Sequence, residues 1–321
     1  MIVLISKKSL KITLSILLSF FLSCQTPNKN TETTNKEVSL KVLGTIQDGG
    51  MPHLGCSKKC CINHYSQGFS KKRVVSLGIS NTKYNKHYLI EASPDLNYQL
   101  KVLLQDNNPT KSLDGIFLTH AHMGHYSGLL NLGRESFSSS LVPLFVMPKM
   151  HEFISSNGPW DQLVKLKNVD LKSLSNNKPE VLGDNLSIVP FLVPHRDEYS
   201  ETVGYKIIGP NKTALFIPDI DKWEKWEISI VELVKEVDYA FLDGTFYDAK
   251  EINNRDISEI PHPFIIESLE LFKNLSVVDK NKVYFIHLNH TNPAIDKSSA
   301  PFKNITYKGF NVAEGNMEFN L

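Results

Sequence analysis

Leu118-Thr119-His120-Ala121-His122-Met123-Gly124-His125-Tyr126-Ser127-Gly128-Leu129 carries three histidines within six residues. An apolar run, Gly115 to Leu118, precedes them and reads as a short buried strand, while the Gly-Leu-Leu that follows reads as a helix start. The histidines therefore fall at the carboxyl end of a strand, where α/β proteins place their chemistry. Neutral imidazole is the commonest protein ligand for zinc and also suits iron, and His-x-His on an extended turn can aim both rings at one ion. A lone histidine in this place is more often a packing or surface residue. Three at this spacing predict a metal site.

The chain has 321 residues, 41% hydrophobic and 21% charged, enough for one large domain or two small ones. Its net charge of +1 excludes a basic field that would gather nucleic acid. The amino terminus reads as targeting rather than fold: Lys7, Lys8 and Lys11, then apolar Ile12 to Leu22, then Ser23-Cys24. The apolar run is short for a membrane span. The pattern resembles a bacterial lipoprotein signal, which implies residues 1–24 as signal ending at a lipidated Cys24. An uncleaved amino-terminal anchor is the alternative. Gln25 after the cysteine provides no inner-membrane retention signal, so the expected location is the cell envelope, at the outer membrane, with membrane contact through the lipid alone. Residues 25–37 are Thr, Asn, Lys and Glu with little to bury and read as a solvated tether. The folded domain is expected over 38–321.

Strand-like runs recur at Val38 to Gly44, Val74 to Ser80, His87 to Glu91, Gly115 to Leu118, Val142 to Met147, Leu186 to Val193, Val203 to Ile208, Thr213 to Ile217, Tyr239 to Leu242 and Val283 to His287. Helical candidates lie at about Pro94 to Leu104, Lys149 to Ser156, Trp160 to Leu166, Ile228 to Val237 and Pro263 to Phe272. No internal repeat at a fixed short period is visible. One layered α/β domain follows. Gln47-Asp48-Gly49-Gly50-Met51-Pro52 reads as a glycine-rich turn.

After that turn Cys56, Cys60 and Cys61 crowd one tight loop. An odd count suits a disulfide framework badly, and adjacent cysteines bond only with strain. A closed zinc site needs four ligands, commonly three cysteines and a histidine. His64 is the near candidate for the fourth and His290 the distant one; a disulfide with one free thiol is the alternative. Four later strand-like runs each end in a ligand type: His195, Asp219 with Asp221 two residues on, Asp243, and His287.

The order His120-x-His122-x-x-His125, His195, Asp219, His287 resembles the metallo-β-lactamase superfamily. That resemblance implies a four-layer αβ/βα sandwich in a single domain. Within the superfamily, Gly44-Thr45, the Gly-Gly-x-Pro turn, Leu132-Gly133-Arg134-Glu135, Asp243-Gly244-Thr245-Phe246 and Thr291-Asn292-Pro293 resemble the pyrroloquinoline quinone biosynthesis protein B group. The chain is also similar to the cyclic-phosphate phosphodiesterases of phosphonate breakdown, which pair a cysteine-rich loop with a final His-x-x-His. The resemblance implies that His120, His122 and His195 hold one ion and His125 and His287 a second, with Asp219 bridging. It also implies that Cys56, Cys60, Cys61 and His290 hold a structural zinc, His64 being the spare. The family's signature aspartate is Gly124 here, so a mononuclear site or a weak second ion is expected, with Asp243 or Asp221 as substitutes.

Zinc is therefore expected at one structural and one or two catalytic positions, with iron or manganese as alternatives in the cleft. Asp219 would orient water or act as general base. His262, fixed between Pro261 and Pro263, is either a proton donor or a helix-start residue. Arg196 either grips an anionic group or pairs with a neighbouring carboxylate, and Asn157-Gly158-Pro159-Trp160 either lines the cleft or packs. The expected function is hydrolysis of a small-molecule ester, amide or phosphodiester; a non-haem Fe(II) oxygenase and a non-catalytic ligand carrier are the alternatives. Oligomeric state is not legible.

Overall fold

Val38–Gly44 (β1) buries six of its seven residues, Leu40 and Val42 facing the core between the sheets and only Lys41 partly exposed. The computed structural model describes residues 37–66, 71–104, 113–253 and 256–321. The signal segment, Cys24 and the tether up to residue 36 lie outside the described residues.

Thirteen further strands follow: Ser76–Asn81 (β2), Lys86–Ile90 (β3), Gly115–Phe117 (β4), Val142–Val146 (β5), Val169–Ser173 (β6), Glu180–Val181 (β7), Ser187–Leu192 (β8), Val203–Ile208 (β9), Thr213–Ile217 (β10), Tyr239–Asp243 (β11), Val283–Ile286 (β12), Asn311–Val312 (β13) and Glu318–Asn320 (β14). They form two seven-stranded sheets, ordered β14-β1-β2-β3-β4-β5-β6 and β7-β8-β9-β10-β11-β12-β13. Each sheet runs antiparallel for its first four strands and parallel for its last four. The carboxyl ends of β3 and β4 in one sheet and of β8, β10, β11 and β12 in the other carry most residues of the cleft, and the turn after β1 adds Asp48.

The sheets face each other across one core that takes Leu40, Leu77, Ile90, Phe117 and Phe145 from the first and Ile188, Tyr205, Phe216, Phe241 and Ile286 from the second. Phe117 stacks on Phe145 at 4.3 Å, and burying each such ring contributes roughly 2–3 kcal/mol. The outer face of the first sheet is covered through Leu96, Leu103, Met150, Ile154 and Leu163 of the helices Leu96–Leu103, Pro148–Ser156 and Trp160–Lys165. The second is covered through Ile230, Val234, Ile265, Leu269 and Ile305 of Ile230–Glu236, Ile265–Leu271 and Ala300–Tyr307. Helices, sheet, sheet and helices make the four-layer αβ/βα sandwich.

Several elements differ from the sequence reading. Cys60 and Cys61 sit on a helix, Lys59–Ser66, and only Cys56 remains in the loop before it. The helix start at Gly128 is a 3-10 helix, Ser127–Leu132, after a single α-turn, Met123–Tyr126. The strands β6, β7, β13 and β14 were not predicted. Each is short or partly exposed and lacks an apolar run; tertiary pairing makes them strands.

Candidate metal centre

Two strand ends enter the cleft through left-handed backbone. Glu91, just past β3, has φ 78°, and His287, just past β12, has φ 62°. Such a residue costs about 1–2 kcal/mol when it is not glycine, yet both side chains end fully buried here.

His120 Nε2 and His122 Nδ1 lie 2.8 Å apart, and His195 Nε2 is 3.3 Å from His122 Nδ1. Asp219 Oδ2 is 3.4 Å from His120 Nε2, and its Oδ1 is 3.3 Å from His195 Nε2. A tetrahedral ion at about 2.0–2.2 Å from its donors spaces them roughly 3.3–3.6 Å apart, so this set fits one zinc-sized cation. The far sides of two rings are engaged. His120 Nδ1 lies 2.8 Å from Thr119 Oγ1, which donates to Glu91 Oε1 at 2.6 Å. His122 Nε2 meets Glu198 Oε2 at 3.0 Å. These partners fix the tautomers that leave His120 Nε2 and His122 Nδ1 as ligand atoms. His195 has no such partner: its Nδ1 is buried and unpaired.

A second set lies alongside. His125 Nδ1 faces Glu91 Oε1 at 3.1 Å, and His287 Nδ1 meets Thr245 Oγ1 at 2.9 Å. Their Nε2 atoms point to a shared space with Asp48 Oδ1, which lies 3.3 Å from His125 and 4.0 Å from His287. Asp219 Oδ2 is 4.0 Å from both nitrogens. His125 Nε2, His287 Nε2, Asp48 Oδ1 and Asp219 Oδ1 are all buried without a hydrogen-bond partner. Unpaired buried donors and acceptors cost about 1–3 kcal/mol each, so the three on His125, His287 and Asp48 that converge on one space fit a cation between them, while Asp219 Oδ1 faces His195 and His262.

The electrostatics agree. Burial would raise Asp219, but His195, His262, His120 and His122 around it hold its carboxyl well below the usual range. Burial likewise opposes charge on His125, yet Glu91 and Asp48 hold it well above the ordinary imidazole value. Both patterns describe a site whose anions await positive charge.

His262 is buried, and its Nδ1 donates to Asp243 Oδ2 at 2.9 Å and lies 3.2 Å from Asp219 Oδ1. Burial works against its proton, but Asp243 and Asp219 push it up to about 10. It does not start a helix: Ile265–Leu271 begins after an N-cap at Phe264. Asp243 accepts from His262, Ile220 N and the Thr245 hydroxyl, and Asp221 pairs with Lys225 Nζ at 2.9 Å. Both are thus engaged by other groups, and the carboxylate that lies beside His125 and His287 is Asp48. Arg196 pairs with Glu198 at 3.8 Å, and Trp160 packs on Tyr126 and Phe153.

Away from the cleft, Cys56, Cys60, Cys61 and His290 bring their ligand atoms within 4.8 Å of one another, without His64. All three thiols are free, Cys60 and Cys61 sulfurs lying 3.9 Å apart. His290 Nδ1 pairs with Asn289 Oδ1 at 2.9 Å, leaving Nε2 for the sulfurs. Burial and the neighbouring Cys61 push the Cys60 thiol up to about 12, so a cation would be needed to keep Cys60 as a thiolate.

The sequence reading missed Asp48, Glu91, Thr119 and Glu198. Asp48, Glu91 and Thr119 lie in the turn, strand end and histidine stretch quoted above, Glu198 lies three residues past His195, and only tertiary contact reveals the part of each.

Imidazoles and one shared carboxylate, gathered from the carboxyl ends of two mixed sheets inside a helix-faced sandwich, define a metallo-β-lactamase-fold hydrolase. The Beta-lactamase superfamily domain model matches residues 86–288, and the chain belongs to that family. It is similar over 308 residues to coenzyme PQQ synthesis protein B of Ruegeria pomeroyi, at 24% identity, covering 88% of this chain and 100% of the relative. The Gluconobacter oxydans protein of the same name is 26% identical over 309 residues, with 88% and 99% covered. Among solved structures, Zn2+-bound PqqB from Methylobacterium extorquens superposes with a TM-score of 0.73 at 20% identity, covering 88% of this chain and all of that one. A diphosphatase from the PhnP family superposes with a TM-score of 0.61 at 20% identity, covering 88% and 96%. The chain is PqqB-like in sequence and fold.

Proposed function

We propose that this protein is a zinc-dependent hydrolase of a small-molecule ester or phosphodiester, with a separate structural zinc at Cys56, Cys60, Cys61 and His290. The observation that carries the reading is Asp219: a fully desolvated carboxylate whose two oxygens face His120, His195 and His262 at 3.2–3.4 Å. His120, His122 and His195 would hold a zinc ion with Asp219 beside it, and that ion would supply Lewis acidity and lower the pKa of water at an open position. Asp219 Oδ1 is the acceptor that orients the attacking water. His262 keeps its Nδ1 proton on Asp243 and Asp219, which fixes the Asp219 carboxylate and places the nearest protonated group beside it. Glu198, through His122, ties the loop after His195 to the centre.

Zinc-loaded protein is expected to turn over bis(4-nitrophenyl) phosphate or a nitrophenyl ester, and His120→Ala to lose at least about 100-fold in rate. Oxygen uptake seen only with ferrous iron, and no hydrolysis with zinc, would replace this reading with an oxygenase. No hydrolysis and no oxygen chemistry under zinc, iron or manganese would leave a ligand carrier. We also propose that the protein is exported and anchored by lipid at Cys24 in the cell envelope. Labelled palmitate incorporated into wild type and absent from Cys24→Ala is the expected result; equal labelling or none in both would sink it.

A further inference from the structure

We propose that Asp48, from the turn after β1, is the carboxylate ligand of a second metal ion in the cleft, beside His125, His287 and the shared Asp219, and that Gly124 is the residue that makes room for it. The inference rests on the metal-dependent reading of the cleft. The superfamily's signature places that carboxylate on the helix turn at position 124, where this chain has none. A Cβ built at Gly124 would lie 2.5 Å from Asp48 Cα and 2.9 Å from Asp48 Cγ, closer than real Cβ contacts come. The backbone of the 47–50 turn occupies the space a side chain at 124 would need, and the missing acid has been supplied from another segment.

Three observations support the assignment. His125 and His287 are both completely buried, and each has its Nδ1 side engaged while its Nε2 has no hydrogen-bond partner. Asp48 Oδ1, also unpaired, is 3.3 Å from the first of these nitrogens and 4.0 Å from the second. Asp219 Oδ2 lies 4.0 Å from each of the same two nitrogens, so a second carboxylate borders this space.

The turn is also held firmly. Gln47 N donates to Leu288 O at 2.9 Å, next in chain to His287, and Gly50 N closes the turn on Gln47 O at 2.9 Å. A Cβ at Gly49 would lie 2.5 Å from the His53 ring, so that ring packs against the turn. His53 stacks on His290 at 4.3 Å, and its backbone N–H points at Cys61 Sγ at 3.3 Å. Asp48 is thus mounted on the same framework as the cysteine cluster, through His53. A ligand relocated in this way differs from the superfamily's in its tether, being fixed by a turn and not by the helix that bears His125.

The test is metal content of the full folded chain, purified without chelator, by mass spectrometry, beside electron paramagnetic resonance of manganese-loaded protein. Wild type is expected to hold about three ions per chain, Asp48→Asn about two, with the exchange-coupled manganese signal lost and the melting transition still cooperative. Gly124→Ala removes no donor, yet is expected to lose the same ion because its methyl displaces the Asp48 turn. His120→Ala reports separately on the first position. Loss of an ion in His120→Ala with full retention, or unchanged coupling, in Asp48→Asn would overturn the role of Asp48 and leave the hydrolase reading standing. Unchanged metal in both variants would overturn the metal reading itself.

Discussion

Thr119 Oγ1 joins His120 Nδ1 to Glu91 Oε1 through contacts of 2.8 and 2.6 Å, so one hydroxyl sets the tautomer of a first-position ligand. Thr119→Val keeps the shape and removes that link. Affinity of the cleft for zinc, read by competition with a chromophoric chelator, is expected to fall about 10- to 100-fold while the cysteine cluster keeps its ion. Glu251 behaves differently because it is half-buried away from the cleft ligands, where it accepts from Tyr247 N at 2.5 Å and Thr291 Oγ1 at 3.2 Å. Burial pushes its carboxyl up to about 7, against those hydrogen bonds. The folded state then holds this proton more tightly than the unfolded chain. Stability is expected to fall as pH rises from about 4.5 to about 7 and to level off above, by up to roughly 3 kcal/mol. Glu251→Gln should flatten that part of the denaturation midpoint profile; an unchanged slope would refute it.

At the scale of elements, the histidine turn is held from beneath and beside. Tyr205, on β9 of the second sheet, donates its hydroxyl to Leu118 O at 2.5 Å, one residue past β4 in the first sheet. Tyr205→Phe leaves that buried carbonyl unpaired and is expected to cost about 1–3 kcal/mol in urea unfolding. Gly128, where the 3-10 helix follows the α-turn, donates its N–H to Ala92 O at 2.9 Å, and a Cβ there would lie 2.8 Å from the same oxygen and closer still to Ser93 O. Gly128→Ala is expected to destabilise by roughly 1–3 kcal/mol and to weaken metal binding by displacing His125. Some central strands were legible because burial on both faces makes them nearly continuous apolar runs: Thr213–Ile217 begins and ends where the pattern does. Glu318–Asn320 was not, because its strand character comes from pairing with Ser39 to Lys41, nearly the whole chain away. The helix bearing Cys60 and Cys61 was hidden by attention to the thiols, which local spacing places equally well in a loop.

Across the whole molecule, both sheets repeat one layout, four antiparallel strands giving way to four parallel ones, with the cleft where their carboxyl ends meet. No short repeat in the chain announces this, since the likeness lies in strand order and direction. Because the cleft draws on β3, β4, β8, β10, β11 and β12, metal bound there would tie the two halves together. Chelation is expected to lower the melting temperature by several degrees, and zinc to restore it. The path from Cys61 through His53 to the Asp48 turn carries a second expectation at this scale. Cys61→Ser should weaken the second cleft position as well as the cysteine cluster, seen as loss of more than one ion per chain. Loss of the cluster's ion alone would show that the two sites are independent.

The amino-acid order alone determined the strand-end histidines and aspartates, the cysteine group and the layered α/β class, because each is written in local spacing or in an apolar run. The resemblance to the superfamily signature added the gap at Gly124. What fills that gap was decided by the tertiary structure, which lays the turn after β1 against the helix turn of His125. The same holds for Glu91, Thr119, Glu198 and His262, whose parts depend on which buried atoms they face. Ligand types repeat along a chain and can be read there, but a cation's surroundings are set by distances of 3–4 Å between segments that only packing brings together.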